Sequence, residues 1–214
     1  MSSVCPSKRK NHDMASLTTE TTESTTKKTT TYPQTITGKI DHAESLREQG
    51  KLLFTSKKFL KAARLYAQIP AWVSPFCKSD GQPSQAEAMS GMMGGDSGPS
   101  ASSEEAARAK TLLRIAHQNR AMCFVKLKKF DNALKACTSA LQFNDGTLPW
   151  KIYRAQAEAY IGKKDMDRAK KSLDEVLKLQ GGTDKRTTQL LHYLDKMYAA
   201  HAKKERKIYA KMFA

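Results

Sequence analysis

The segment from Asn119 to Leu179 constrains the fold more than any other, because it contains one residue pattern written twice. A small residue, Ala121 or Ala157, is followed three positions later by an aromatic and twelve positions later by another alanine. Four positions after that alanine comes Cys137 or Leu173, and the two copies lie 36 residues apart. Small residues let antiparallel helices approach closely while larger ones fill the seam, so each copy predicts one helical hairpin. Such hairpins cannot bury their apolar faces alone and are expected to stack into a solenoid.

An earlier third copy occupies residues 41–69. Asp41 and Glu44 form a capping-box-like start, which predicts that its first helix begins there. Gly50 takes the small-residue position, and the second helix of the hairpin carries Ala62, Tyr66 and Ile69 at the corresponding positions.

Residues 70–103 interrupt the repeats with prolines, glycines and serines, and they predict a long loop. Trp72, Val73 and Phe76, in its first part, are candidates for packing back onto the first hairpin. Ser102 with Glu105 forms a second capping box and predicts the start of a long helix.

A last helix is expected after Gly181 and Gly182, opened by Thr183 and running to about residue 213. One stripe of apolar residues recurs along it at helical spacing and is predicted to cover the exposed face of the last hairpin, as a solenoid requires. The members of this stripe are Leu190, Leu194, Met197, Ile208 and Met212. The opposite, lysine-rich face is expected to stay in water.

The N-terminal residues 1–39 are rich in serine and threonine and poor in large apolar side chains, so they predict a disordered tail. The rest of the chain, residues 40–214, predicts an all-α, right-handed solenoid of three hairpins and a capping helix. The boundaries are a first repeat at 41–69, an insertion at 70–103, a second repeat at 104–143, a third at 149–180 and a capping helix at 183–213.

The four cysteines have no metal-ligand spacing, and Cys123 and Cys137 fall at core positions of the repeats, where cysteine acts as a small hydrophobe. These features favour a reducing compartment. With no long apolar run, neither a membrane span nor a membrane partner is expected. The cytoplasm is the expected location and the nucleus an open alternative. The formal charge of +16 indicates acidic partners, nucleic acid or anionic lipid, without choosing among them.

Residues 42–214 resemble the tetratricopeptide repeat domains of immunophilin-type co-chaperones, and more closely the tetratricopeptide repeat protein 9 family. The resemblance rests on three repeats, a proline-rich insertion after the first and the ending KKERKIYAKMF. In the co-chaperones the first helices of the repeats line a groove that holds the acidic C-terminal tail of a heat-shock chaperone, in a site known as a carboxylate clamp.

Carried over by this resemblance, Arg47 and Lys51 replace the first lysine and the first asparagine of the clamp. Asn119 and Lys151 match its second-repeat asparagine and third-repeat lysine. Ala155 stands where the final arginine is expected, and Arg154 lies one residue earlier. The resemblance therefore implies a degenerate but cationic peptide-binding site.

The sequence contains no Ser/His/Asp set, P-loop or pair of acids typical of an active site. We therefore expect a non-enzymatic module, without cofactor or metal, that binds an acidic peptide such as the tail of a heat-shock chaperone. Two alternatives stay open. One is a nucleic-acid or ribonucleoprotein factor that uses the lysine-rich last helix, although Tyr198 and Tyr209 are predicted to lie on its packing side. The other is a scaffold that binds through its insertion or convex surface.

Overall fold

Helices account for all regular structure in the part of the chain that the computed structural model describes, which is residues 33–77, 101–143, 147, 149–182 and 184–213. The predicted all-α class is confirmed. The elements are α1 (Ile36–Thr55), α2 (Phe59–Val73), a 3₁₀ helix (Ser74–Phe76), α3 (Ser103–Lys126), α4 (Phe130–Leu141), α5 (Trp150–Gly162), α6 (Met166–Gln180) and α7 (Lys185–Met212).

Consecutive helices pair into three hairpins, α1 with α2, α3 with α4 and α5 with α6, and neighbouring hairpins stack on one another. The first helices of successive hairpins also touch, so α1, α3 and α5 lie side by side, and α7 continues this row by contacting α5 and α6. The arrangement is a tetratricopeptide-type solenoid, and it places every predicted binding residue on the row of first helices.

The three hairpin turns share one backbone geometry. In each, a lysine adopts a left-handed conformation, and the next residue donates its N–H to a carbonyl five positions back, which ends the first helix as a Schellman motif does. The lysines are Lys57, Lys128 and Lys164, with φ of 58°, 58° and 62°, and the bonds run from Lys58 to Leu53, Lys129 to Phe124 and Asp165 to Tyr160. The repeats therefore share turn chemistry as well as packing residues.

The small residue of each first helix is matched to the side chain that faces it. Ala121 lies in one buried cluster with Cys137, and Ala157 lies in another with Leu173. In the first repeat the facing residue is a tyrosine, and a Cβ atom on Gly50 would lie only 2.6 Å from a ring carbon of Tyr66. Gly50 is therefore required because Tyr66 is large.

The predicted start of the first helix at Asp41 is wrong. The helix begins at Ile36, and Thr35 caps it with a side chain that accepts a hydrogen bond from a backbone N–H. Asp41 and Glu44 lie inside the helix and accept hydrogen bonds from Arg108 of α3, at 3.0 and 3.1 Å. The carboxylates connect the first two repeats and do not cap a helix.

The first part of the insertion is helical. Helix α2 continues through Pro70, and Val73 is buried while Trp72 and Phe76 pack against the same core, as predicted. The rest of the insertion up to residue 100 lies outside the described residues, as does the predicted disordered tail up to residue 32. The predicted end of that tail at residue 39 is wrong, because residues 36–39 belong to α1. The capping box of Ser102 and Glu105 is confirmed.

Helix α7 caps the solenoid with its first half only. Asp184 is its N-cap, and Leu190 and Leu194 are buried against the last hairpin. The prediction that Ile208 and Met212 cover this hairpin is wrong, because both are exposed. Helix α7 has 28 residues and α6 has 15, so at ~1.5 Å per residue α7 extends well past the surface it covers.

Candidate peptide-binding site

A pocket of about 270 Å³ lies between the first two repeats. Helix α1 contributes Lys51 and Phe54, helix α2 contributes Tyr66, and helix α3 contributes Asn119 and Met122. Two of the predicted site residues, Lys51 and Asn119, therefore come together at one opening. Apolar surface lies beside a cation and an amide, a combination suited to a peptide segment.

Asn119 has a partner within the chain. Its side chain is hydrogen-bonded to the hydroxyl of Tyr66, whose pKa is raised to about 12 chiefly because the ring is buried. The hydroxyl is therefore protonated at neutral pH. An asparagine amide has two donor hydrogens and an acceptor oxygen, so this one bond leaves capacity for a ligand.

The two cations on α1 share a carboxylate. A guanidinium nitrogen of Arg47 lies 2.6 Å from Glu48 Oε1, and Lys51 Nζ lies 3.7 Å from Glu48 Oε2. The Lys51 side chain is 74% exposed, and ion pairs in water contribute little, so an anionic ligand can compete with Glu48 for both cations.

The third-repeat cations lie around a tryptophan. Lys151 Nζ is 5.3 Å and Arg154 Cζ 5.0 Å from the centroid of the Trp150 ring, within cation–π range. Arg154 also forms an ion pair with Asp184, the N-cap of α7, and its side chain is only 18% exposed. Lys151 is exposed and available to a ligand, whereas Arg154 is already engaged.

The position that the resemblance assigns to the final clamp arginine is part of the core. Ala155 is fully buried in the cluster that holds Ala121 and Ile152. A long cationic side chain does not fit among these neighbours. The departure from the clamp pattern is therefore built into the packing of the third repeat.

Phe54, Tyr66 and Met122 line the pocket but were not predicted as site residues. Phe54 follows Lys51 by three positions, and Met122 follows Asn119 by three, so in both cases one helix face carries the polar residue and an apolar neighbour. That spacing was a usable signal. Tyr66 had no such signal, since its position in the pattern indicated only core packing.

Within the described residues, no group of His, Cys, Asp or Glu side chains is arranged to hold a metal ion. Cys123 and Cys137 are buried, and burial raises the pKa of each thiol to about 12, so neither is an activated nucleophile. Both act as small core residues, as predicted. None of the described helices is long and apolar enough to cross a bilayer.

Comparison with known proteins agrees with this geometry. The tetratricopeptide repeat family matches residues 151–182. The chain is 27% identical over 175 residues to the peptidyl-prolyl cis-trans isomerase FKBP4 of Homo sapiens and 26% identical to that of Bos taurus. Each alignment covers 82% of this chain and 33% of the relative, so the chain spans about a third of the length of these proteins.

The stacked helical hairpins, with a pocket between the first two repeats, define a protein-interaction module. More particularly, residues 151–182 match the tetratricopeptide repeat, and the all-α solenoid is similar in sequence to about a third of the peptidyl-prolyl cis-trans isomerase FKBP4.

Proposed function

We propose that the row of first helices binds an acidic peptide with a free C-terminal carboxylate, such as the tail of a heat-shock chaperone, and that the protein acts as a non-enzymatic, co-chaperone-like adaptor in the cytoplasm. The pocket that joins Lys51 and Asn119 across two repeats carries this proposal. The chemistry of the pocket indicates a ligand that is both anionic and partly apolar.

Each group in the pocket has a role in this proposal. Lys51 and Lys151 are exposed cations on α1 and α5, and they supply charge-assisted hydrogen bonds to carboxylates. Asn119 bonds the peptide backbone through the amide atoms that Tyr66 leaves free. Phe54 and Met122 receive an apolar side chain of the peptide. The formal charge of +16 attracts an acidic partner from a distance.

The isomerase activity in the relatives' names is not part of the proposal, because the chain spans only about a third of those proteins. The likeness supports a peptide-binding role for the repeats and leaves the identity of the peptide to experiment.

Fluorescence anisotropy with a labelled acidic peptide ending in a free carboxylate tests the proposal. Asn119→Ala should weaken binding about 5- to 10-fold, the effect of one lost hydrogen bond to a charged or backbone group. Lys151→Ala should weaken it several-fold, and affinity should fall as salt rises. Lys58→Ala, an exposed lysine in the first hairpin turn, is the matched control and should bind as wild type does.

Equal binding by wild type, Asn119→Ala and Lys151→Ala would refute the groove assignment, as would equal affinity for the same peptide with an amidated C-terminus. An RNA ligand measured over the same salt range tests the nucleic-acid alternative, which would be favoured by tighter binding of RNA than of peptide.

A second variant separates the two roles of Asn119. Tyr66→Phe removes the hydroxyl that Asn119 bonds but leaves the amide in place. If the amide contacts the peptide, Tyr66→Phe should bind the peptide almost as tightly as wild type does, whereas Asn119→Ala should bind it more weakly. Equal losses in the two variants would show that Asn119 serves only to position Tyr66.

A further inference from the structure

The distal segment of α7, residues 199–213, is exposed along its whole length. It nevertheless carries four large apolar side chains, Ile208 at 59% exposure, Tyr209 at 59%, Met212 at 68% and Phe213 at 86%. Side chains of this kind clustered on one exposed segment indicate an interaction surface.

The apolar side chains share one face of the helix. At about 100° per residue, the four side chains lie together with Ala202 within an arc of about 140°. Basic residues occupy most of the remaining circumference, namely Lys203, Lys204, Arg206, Lys207 and Lys211. Against these five positive charges the segment has one acid, Glu205, so its net charge is 5 − 1 = +4.

This charge argues against a second copy of the chain as the partner. Pairing two distal segments through their apolar arcs would bring together two segments that each have a net charge of +4, and like charges at close range oppose association. The partner is therefore expected to be anionic.

The positions of the charges favour a flat partner. Lys204 borders the apolar arc on the side of Ile208, and Arg206 borders it on the side of Phe213. On a flat surface both flanking side chains can extend their aliphatic stems along apolar material and reach anionic groups on either side of the helix. Interfacial helices bind lipid in this way, with apolar side chains at the acyl boundary and basic ones at the headgroups.

We propose that the distal segment of α7 is an interfacial helix that binds anionic phospholipid surfaces. This site is separate from the peptide pocket, whose lining residues lie on α1, α2 and α3. One protein can therefore hold a peptide in its repeats while the distal segment rests on a membrane.

Glu205 limits the strength of this binding. It lies within the apolar arc, one turn before Tyr209, and its Oε2 atom is 3.4 Å from Nδ1 of His201. A carboxylate at this position opposes both burial and the approach of anionic lipid. The binding is therefore reversible, and removing this charge should strengthen it.

Co-sedimentation of the full chain with sucrose-loaded vesicles tests the proposal. Vesicles of phosphatidylcholine with about one third phosphatidylserine should bind the protein, and vesicles of phosphatidylcholine alone should not. Lys204→Gln and Arg206→Gln should each weaken binding about fivefold, as expected for one charge near an anionic surface. The double variant Ile208→Asp, Phe213→Asp should weaken it at least about tenfold.

Two further variants make the test specific. Glu205→Gln should bind anionic vesicles more tightly than wild type does. Lys58→Gln removes the same charge from an exposed hairpin turn and should bind like wild type. Because residues 199–213 are exposed, all the α7 variants should keep the thermal unfolding midpoint of wild type by circular dichroism.

Three results would overturn the proposal: no sedimentation with anionic vesicles, equal binding to neutral vesicles, or binding that Ile208→Asp with Phe213→Asp leaves unchanged. Self-association in sedimentation velocity that this double variant abolishes, without vesicle binding, would assign the surface to a second copy of the chain.

Discussion

Gly50→Ala tests the packing of the first hairpin. A Cβ atom at this position would lie 2.6, 2.8 and 3.1 Å from three carbons of the Tyr66 ring, which is itself only 2% exposed. Non-bonded carbons prefer about 3.5–4.0 Å, so the ring must shift by about 1 Å. Overpacking of this kind costs about 1–3 kcal/mol, and alanine offsets about 1 kcal/mol of that through its higher helix propensity. We expect a net loss of about 1 kcal/mol in the free energy of unfolding.

The same substitution should have the opposite sign when the ring is absent. In a Tyr66→Leu background the added methyl group enters vacated space, and only the helix propensity acts, so Gly50→Ala should stabilise by about 1 kcal/mol. The coupling between the two sites is then about 2 kcal/mol. Urea denaturation followed by circular dichroism, on wild type, both single variants and the double variant, measures it. If Gly50→Ala has the same effect in both backgrounds, the steric argument is refuted.

Two further predictions concern stability. Lys128 has φ of 58°, a backbone conformation that disfavours residues with a Cβ atom. Lys128→Gly should therefore raise the free energy of unfolding by about 0.5 kcal/mol, and Lys128→Val should lower it. Urea denaturation measures both effects. Burial raises the pKa of Cys123 and Cys137 from 9.0 to about 12, so unfolded thiols ionise before folded ones, and the stability present below pH 9 should fall as pH rises from 9 to 12. In the double variant Cys123→Ala, Cys137→Ala, the urea midpoint should fall less steeply between pH 9 and pH 12 than it does in wild type. The same pH dependence in both proteins would contradict this linkage.

The hairpins could be predicted from the sequence because their signals are local. Ala121 and Ala157 recur at the repeat period, and each sits in the buried seam that the pattern predicts. The capping box of Ser102 and Glu105 is likewise formed by residues three apart, so no distant contact was needed to recognise it.

The errors arose where a distant contact decides the outcome. Asp41 and Glu44 have capping spacing, but Arg108, 67 and 64 positions away in sequence, binds both carboxylates inside the helix. The apolar period of α7 correctly predicted which face of the helix packs on the last hairpin. Periodicity contains no information, however, about how far along α7 this hairpin extends. Ile208 and Met212 are therefore exposed although the pattern grouped them with Leu190 and Leu194. Tyr209 is also exposed, so the prediction that it lies on the packing side is wrong.

The site was partly predictable for a related reason. The resemblance identified Lys51 and Asn119, and the structure places both at one pocket. It could not identify Tyr66, because the part this ring plays depends on Gly50. With no Cβ at position 50 the ring packs against α1, and its hydroxyl meets Asn119.

The attachment of α7 explains why the pocket between the first two repeats is a stronger candidate for binding the peptide carboxylate than the third-repeat cations around Trp150 are. Arg154 binds Asp184, and the nearly buried Glu158 accepts a hydrogen bond from Arg186 Nε at 3.0 Å, which raises the pKa of Arg186. Two ion pairs of opposite polarity thus fix the start of α7 to α5. A ligand that recruited Arg154 would have to break one of them and leave a carboxylate unpaired. Lys51 and Asn119 do not take part in attaching α7, so a peptide can bind at the pocket without breaking an ion pair that holds this helix.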